Sequence, residues 1–282
     1  MDIVIIPCFE NNKKMIKWIR YLNKILYDNN YDSVVISNTL KQIEGINECI
    51  SKENINILNG TILKENLLVK ITEYIANKIN ENINNLEVTL LINDNKKSYI
   101  EGIINLAERV KNIKIVTNNE QEFKFLEQRL QELYGILIRI TNNKRKGLVN
   151  SGIIINMDFP EELVNKYTIN PDAIFVNLSY PVKINSKKFK GINANDIKIN
   201  MKINFNLEFA KNNIFNDFEP KELYEASICN MTYDKIQNKI KEDNVYVNAL
   251  IGNNGIINEK EFEEKCKFCV KCSVTIDVKQ KE

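Results

Sequence analysis

The chain has 282 residues, of which 44% are hydrophobic and 27% charged, with 39 basic side chains against 37 acidic ones. That composition is ordinary for a folded globular protein, and the near-balance of charge gives no electrostatic mandate for nucleic acid or an anionic membrane. Histidine is absent, which removes His-dependent triads, H-E-x-x-H zinc sites and imidazole bases together, so acid–base chemistry falls to Asp, Glu, Lys, Tyr or Cys.

The opening DIVIIPCF reads as a buried strand ending at Pro7 and Cys8. Residues 12–28 follow with helical spacing of Ile16, Ile19, Leu22, Ile25 and Leu26, and Trp18 and Tyr21 are expected to cover the same core. Residues 33–37 and 55–58 are short strands. Residues 1–61 therefore form a small α/β domain. A linking helix over 62–80 sets Leu68, Ile71, Ile75 and Ile79 on one face.

From 81 to 220 five apolar runs alternate with helical segments: EVTLLIND, KIVTNN, ILIRITNN, GIIINMD and AIFVNLS. Near-continuous apolar runs of this kind are strands covered on both faces, and their alternation with helices predicts a doubly wound, Rossmann-like parallel sheet. Ser98 and Glu101 have capping-box spacing ahead of Ile100, Ile103, Ile104, Ala107 and Val110. The next helix starts near Asn119, buries Phe123, Leu126, Leu130 and Leu133, and stops at a left-handed Gly135. Pro160 suits the first turn of a short helix through Val164.

In open α/β sheets the ligand crevice lies beyond the carboxyl ends of the strands. Here that edge carries Asn93, Asp94, Thr117, Asn118, Thr141, Asn142, Asn156, Asp158 and Asn177. These amides, hydroxyls and carboxylates suit a small polar ligand; the same residue types also cap helices and loops, so both readings stand. Lys144, Arg145 and Lys146 are either a phosphate hold at the rim or a solvated turn.

Beyond this region, residues 181–210 alternate through Ile197, Ile199, Met201, Ile203 and Phe205 as one half-buried strand whose partner the sequence does not identify. Residues 221–264 read as a C-terminal helix over 222–240 and a strand over 245–251, packing back. The last stretch, 265–282, holds Cys266, Cys269 and Cys272. Their C-x-x-C-x-x-C spacing can turn three thiolates toward one ion, and zinc or an iron–sulfur cluster are the two groups it suits. A fourth ligand would come from Cys229, Cys8, Cys49, a carboxylate or another molecule. The competing reading is three unliganded thiols.

Residues 62–179, with a long helix leading into the first strand of the sheet, resemble the nucleotide-binding domain of shikimate-dehydrogenase-like and glutamyl-tRNA-reductase-like proteins. The resemblance implies a dinucleotide site, yet the loop after the first strand reads Asn93-Asp94-Asn95-Lys96-Lys97-Ser98 without a glycine. Only glycine lets the backbone approach a pyrophosphate closely there, so NAD(P) is not expected as cofactor. The shikimate-dehydrogenase-like pattern also implies a Lys–Asp pair. Asn38-Thr39-Leu40-Lys41 is faintly similar, but Asn59-Gly60-Thr61 stands where the acid belongs.

No run of about 18 apolar residues occurs and no signal-peptide pattern opens the chain, so a cytoplasmic protein off the membrane is expected. The expected function is binding of a small polar ligand, or scaffolding of a protein partner, on a degenerate Rossmann-like fold. The alternative is an oxidoreductase or metal-dependent enzyme using the cysteine cluster.

Overall fold

The computed structural model describes residues 12–51, 55–201 and 216–265. The expected first strand with Cys8, the positions Ile203 and Phe205, and Cys266, Cys269 and Cys272 lie outside the described residues. The chain divides into two compact units, one of residues 1–63 with 202–232 and the other of 64–201 with 233–282.

In the first unit, β1 (Ser33–Val35) and β2 (Asn56–Leu58) pair in parallel. Helix Asn12–Asp28 turns Ile19, Leu22 and Leu26 into a core with Ile36, Ile46, Ile50 and Ile55. Each such side chain contributes about 1.5–3 kcal/mol on burial. Trp18 and Tyr21 do not join that core as expected. They are 41% and 56% exposed and meet edge to face at 5.8 Å between ring centroids: Trp18 lies at the margin of the helix face that buries Ile19, Leu22 and Leu26, and Tyr21 beyond it. Helix Pro220–Ile228, with proline in its first turn, lies against β1 and β2.

The second unit is built on one eight-stranded sheet. Its strands are β3 (Glu87–Leu91), β4 (Asn112–Val116), β5 (Ile138–Thr141), β6 (Ile153–Asn156), β7 (Ile174–Asn177), β8 (Ile192–Asn200), β9 (Tyr246–Gly252) and β10 (Gly255–Ile256). Their spatial order is β10-β9-β8-β7-β6-β3-β4-β5. Strands β3 to β8 are parallel to one another, whereas β9 is antiparallel to β8 and β10 is antiparallel to β9. Counted along the chain, the parallel strands stand third, second, first, fourth, fifth, sixth, which is the Rossmann order with its switch point between the first and fourth. Here that point lies between β3 and β6.

Both faces are covered. Helix Leu68–Lys78 buries Leu68, Ile71 and Ile75, and helix Lys97–Ala107 buries Tyr99, Ile103, Ile104 and Leu106. A separate core joins Leu91, Val116, Ile154, Phe159, Tyr167 and Phe175. Helix Glu120–Tyr134 buries Phe123, Leu126 and Leu130 and ends at Gly135, whose φ is 66°.

The single helix expected over 62–80 is two, Thr61–Asn66 and Leu68–Lys78, interrupted at Leu67 with ψ of 13°. Ser98 does not cap: the helix starts at Lys97, so Ser98 lies inside its first turn, and Glu101 sits 3.6 Å from Lys97 instead. Pro160 precedes its short helix Glu161–Val164 rather than opening it. The helix expected over 222–240 is also two, Pro220–Ile228 and Tyr233–Glu242, assigned to different units. The strand partners of the 181–210 alternation are β7 and β9, and Ile197 and Ile199 face inward along it.

Candidate functional site at the switch point

Beyond β3 and β6 the chain leaves the sheet in two loops that meet. The carboxylate of Asp158, two residues past β6, accepts the backbone N–H of Asn93 at 2.8 and 3.1 Å and that of Asp94 at 2.7 Å. Asn93 in turn accepts the N–H of Asn118 on its side-chain oxygen at 2.9 Å, and its carbonyl receives Asn119 Nδ2 at 3.3 Å. Three strand-end loops are thus tied through one asparagine. Thr117, buried, takes the Asn119 N–H on its hydroxyl at 3.0 Å.

The structure therefore brings Asn93, Asp94, Thr117, Asn118 and Asp158 together. Asn156 and Asn177 form a second group. Asn156 Nδ2 donates to Asn177 Oδ1 at 3.0 Å and to the Phe159 carbonyl at 2.9 Å, while its own oxygen accepts the Phe159 N–H. Asn177 Nδ2 continues to Asn195 Oδ1 at 2.9 Å, and Asn195 Nδ2 to Asn253 Oδ1 at 2.7 Å. This amide ladder crosses the sheet edge with its polar atoms consumed internally, and Asn156 and Asn177 are buried. Thr141 serves its own loop by accepting the Asn143 N–H at 3.1 Å, and Asn142 is exposed. Asn143 then caps the basic turn, accepting the N–H groups of Arg145 and Lys146.

Behind the switch point lies a buried polar cluster that the sequence did not announce. Tyr99, fully buried, donates from its hydroxyl to Glu65 Oε1 at 2.9 Å, with the Met157 carbonyl at 3.4 Å. Ser179 Oγ donates to that same carbonyl. Lys96 Nζ stands 4.8 Å above the Tyr99 ring, 3.5 Å from its hydroxyl and 3.8 Å from Asp94. The one visible hint was the spacing of Lys96 and Tyr99, three residues apart on the first helical turn.

Burial pushes the Glu65 carboxyl up from its ordinary value; the Tyr99 hydrogen bond and Lys96 oppose the shift and Asp158 adds to it. Burial also raises Asp158, against the two backbone N–H groups that hold its charged form, with Asp94 adding and Lys96 opposing. Tyr99 is raised by burial and by neighbouring Glu65. A buried tyrosine held protonated is a poor proton donor to any ligand, so its role here is to satisfy Glu65.

In the first unit, Lys41 has a carboxylate after all. Its Nζ lies 2.5 Å from Glu222 Oε2, where the sequence comparison had left the pair broken, and 3.4 Å from Asn38 Oδ1. Lys41 is 30% exposed and Glu222 6%. The partner was hidden because it comes from helix Pro220–Ile228 rather than from residues 59–61. Cys229 is half-buried, with Ser33 Oγ at 3.9 Å and the Ala226 carbonyl at 3.6 Å. Among the described residues no group of three or more Cys, Asp or Glu side chains has the arrangement of a metal site.

No family model matches the chain, and no curated protein does. Solved structures similar to it include the L-tryptophan dehydrogenase of Nostoc punctiforme, at 10% identity and TM-score 0.34, covering 83% of this chain and 72% of that one. Ornithine carbamoyltransferase from Pyrococcus furiosus matches at 13% identity and TM-score 0.28, covering 65% and 62%. A chorismate mutase/shikimate 5-dehydrogenase fusion from Clostridium acetobutylicum matches at 17% identity and TM-score 0.23, covering 81% and 83%. The chain spans 63% of one matching aspartate carbamoyltransferase chain from Trypanosoma cruzi and 64% of another. All are distant likenesses among α/β enzymes.

Proposed function

We propose that this protein binds a small polar ligand at the β3–β6 switch point, or scaffolds a protein partner, on a Rossmann-like unit that has given up dinucleotide binding. The observation that supports it is the Asp158 carboxylate seated on the Asn93 and Asp94 amides, in the loop where a dinucleotide fold keeps backbone N–H groups and glycines for pyrophosphate. No helix among the described residues is long and apolar enough to cross a membrane, and we take the protein to act in the cytoplasm. Titration with NADH and NADPH, read by nicotinamide fluorescence, should show no saturable binding, while a thermal-shift screen of polyols, amines and amino acids should yield a stabiliser. Tight binding of either cofactor would sink the reading.

A second reading is favoured by the Lys41–Glu222 pair. The resemblance to shikimate-dehydrogenase-like enzymes would make it an acid–base couple acting on a hydroxy or keto acid. In that case the purified protein turns over such an acid with a nicotinamide cofactor and Lys41→Met abolishes the turnover. The metal-dependent alternative rests on the cysteine spacing alone. Iron, zinc and sulfide content before and after Cys269→Ser tests it.

A further inference from the structure

We infer that Asp158 sets ligand selectivity at the switch point, excluding anions because its own carboxylate fills the place that an external phosphate or carboxylate would take on the Asn93 and Asp94 amides. The inference rests on the reading of this crevice as a small-ligand site and deepens it. Two successive backbone N–H groups converge on one carboxylate at 2.7 to 3.1 Å, the charge-assisted geometry by which loops hold oxyanions. The loop is fixed in that shape from the other side by Asn118 and Asn119, so the donors stay aimed at one point.

An entering anion would have to displace a carboxylate that is covalently part of the fold. It would also meet Asp94, 62% exposed at its side chain and 3.8 Å from Lys96. The charged groups facing Asp158 are Asp94 from its own loop contact, Lys96 at the start of helix Lys97–Ala107, and Glu65 from helix Thr61–Asn66; Tyr99 stands beside them. The two acids outnumber the one base. What remains for the crevice is a neutral or cationic ligand that donates hydrogen bonds.

The test compares the full chain with Asp158→Ala and Asp158→Asn in sodium chloride, phosphate and acetate at matched ionic strength. Wild type should show no saturable rise in melting temperature with acetate or phosphate, only the gradual, non-saturating stabilisation that such salts give any folded protein. Asp158→Ala should melt several degrees lower in chloride and recover saturably in acetate and phosphate, with phosphate bound at least about tenfold more tightly than by wild type. Asp158→Asn, which keeps a side chain in the place, should not be rescued. A folded Asp158→Ala that acetate and phosphate leave unmoved, or wild type that binds phosphate equally well, overturns the inference.

Should Asp158→Ala fail to fold, amide NMR of wild type decides. The Asn93 and Asp94 resonances should follow one carboxyl titration, and phosphate should shift them only on the acid side of it. Phosphate shifts on both sides would overturn the proposal. These outcomes are separable from those of the functional reading: a screen that finds no small ligand removes that reading and leaves the anion result standing, whereas phosphate binding by wild type does the reverse.

Discussion

At the scale of single residues, the most consequential side chain is one that no pattern marked. Glu65 is 9% exposed and held by Tyr99, and burial raises its carboxyl from the ordinary value. A carboxyl raised on folding contributes stability below its unfolded value, which is lost as the pH climbs through the folded one, because the native state then pays to hold the charge. Glu65→Gln keeps an acceptor for the Tyr99 hydroxyl and removes that charge. It should therefore raise the unfolding free energy at neutral pH and flatten its decline between acid and neutral, measured by urea unfolding across pH. Equal pH dependence in the variant and wild type would show that Glu65 is not the group responsible. Asp158 was legible as a member of the strand edge, but its role was not, since its amide partners lie 64 and 65 positions away. The partner of Lys41 is hidden from the sequence for the same reason, Glu222 being 181 positions distant.

At the scale of elements, β3 to β7 could be read from the chain because strands covered on both faces must be continuously apolar, and each ends where the polar edge begins. The short β1 and β2 were also visible. Helix breaks were not: nothing in Leu67 or Cys229 breaks a helix by propensity, and in both places it is the fold that ends one helix and begins another. Two glycines show how the elements are closed. Gly191, just ahead of β8, approaches β7 so closely that an added Cβ would land on the Ala173 carbonyl oxygen, whereas Gly135 has open space around it and only its positive φ to protect. Gly135→Ala should cost about 1–2 kcal/mol from backbone strain. Gly191→Ala should cost more, since it must part β7 from β8, and chemical denaturation should rank the two in that order. The reverse order would mean that the strand ends yield more easily than the close approach implies.

For the molecule as a whole, the first unit is assembled from two distant pieces of sequence, 1–63 and 202–232. Its second piece brings buried Leu223, Tyr224 and Ile228, which at about 1.5–3 kcal/mol each rival the roughly 5–15 kcal/mol that separates folded from unfolded for a typical domain. A fragment of residues 1–63 should therefore lack dispersed NMR signals, and adding a peptide of residues 216–232 should restore them in part; a well-folded 1–63 fragment would contradict this. The division also explains why a linear reading of domains places 221–232 with its sequence neighbours. The antiparallel turn of β9 and β10 has a further consequence for how the protein behaves in a crowded solution. Among the described residues it leaves the large sheet with a two-residue rim at one side and the four residues of β5 at the other, where Arg139 is exposed. Rims this short offer neighbouring molecules little backbone to template on, so among the described residues the β-branched runs that would feed fibrillar growth are held inside the sheet rather than at its edges.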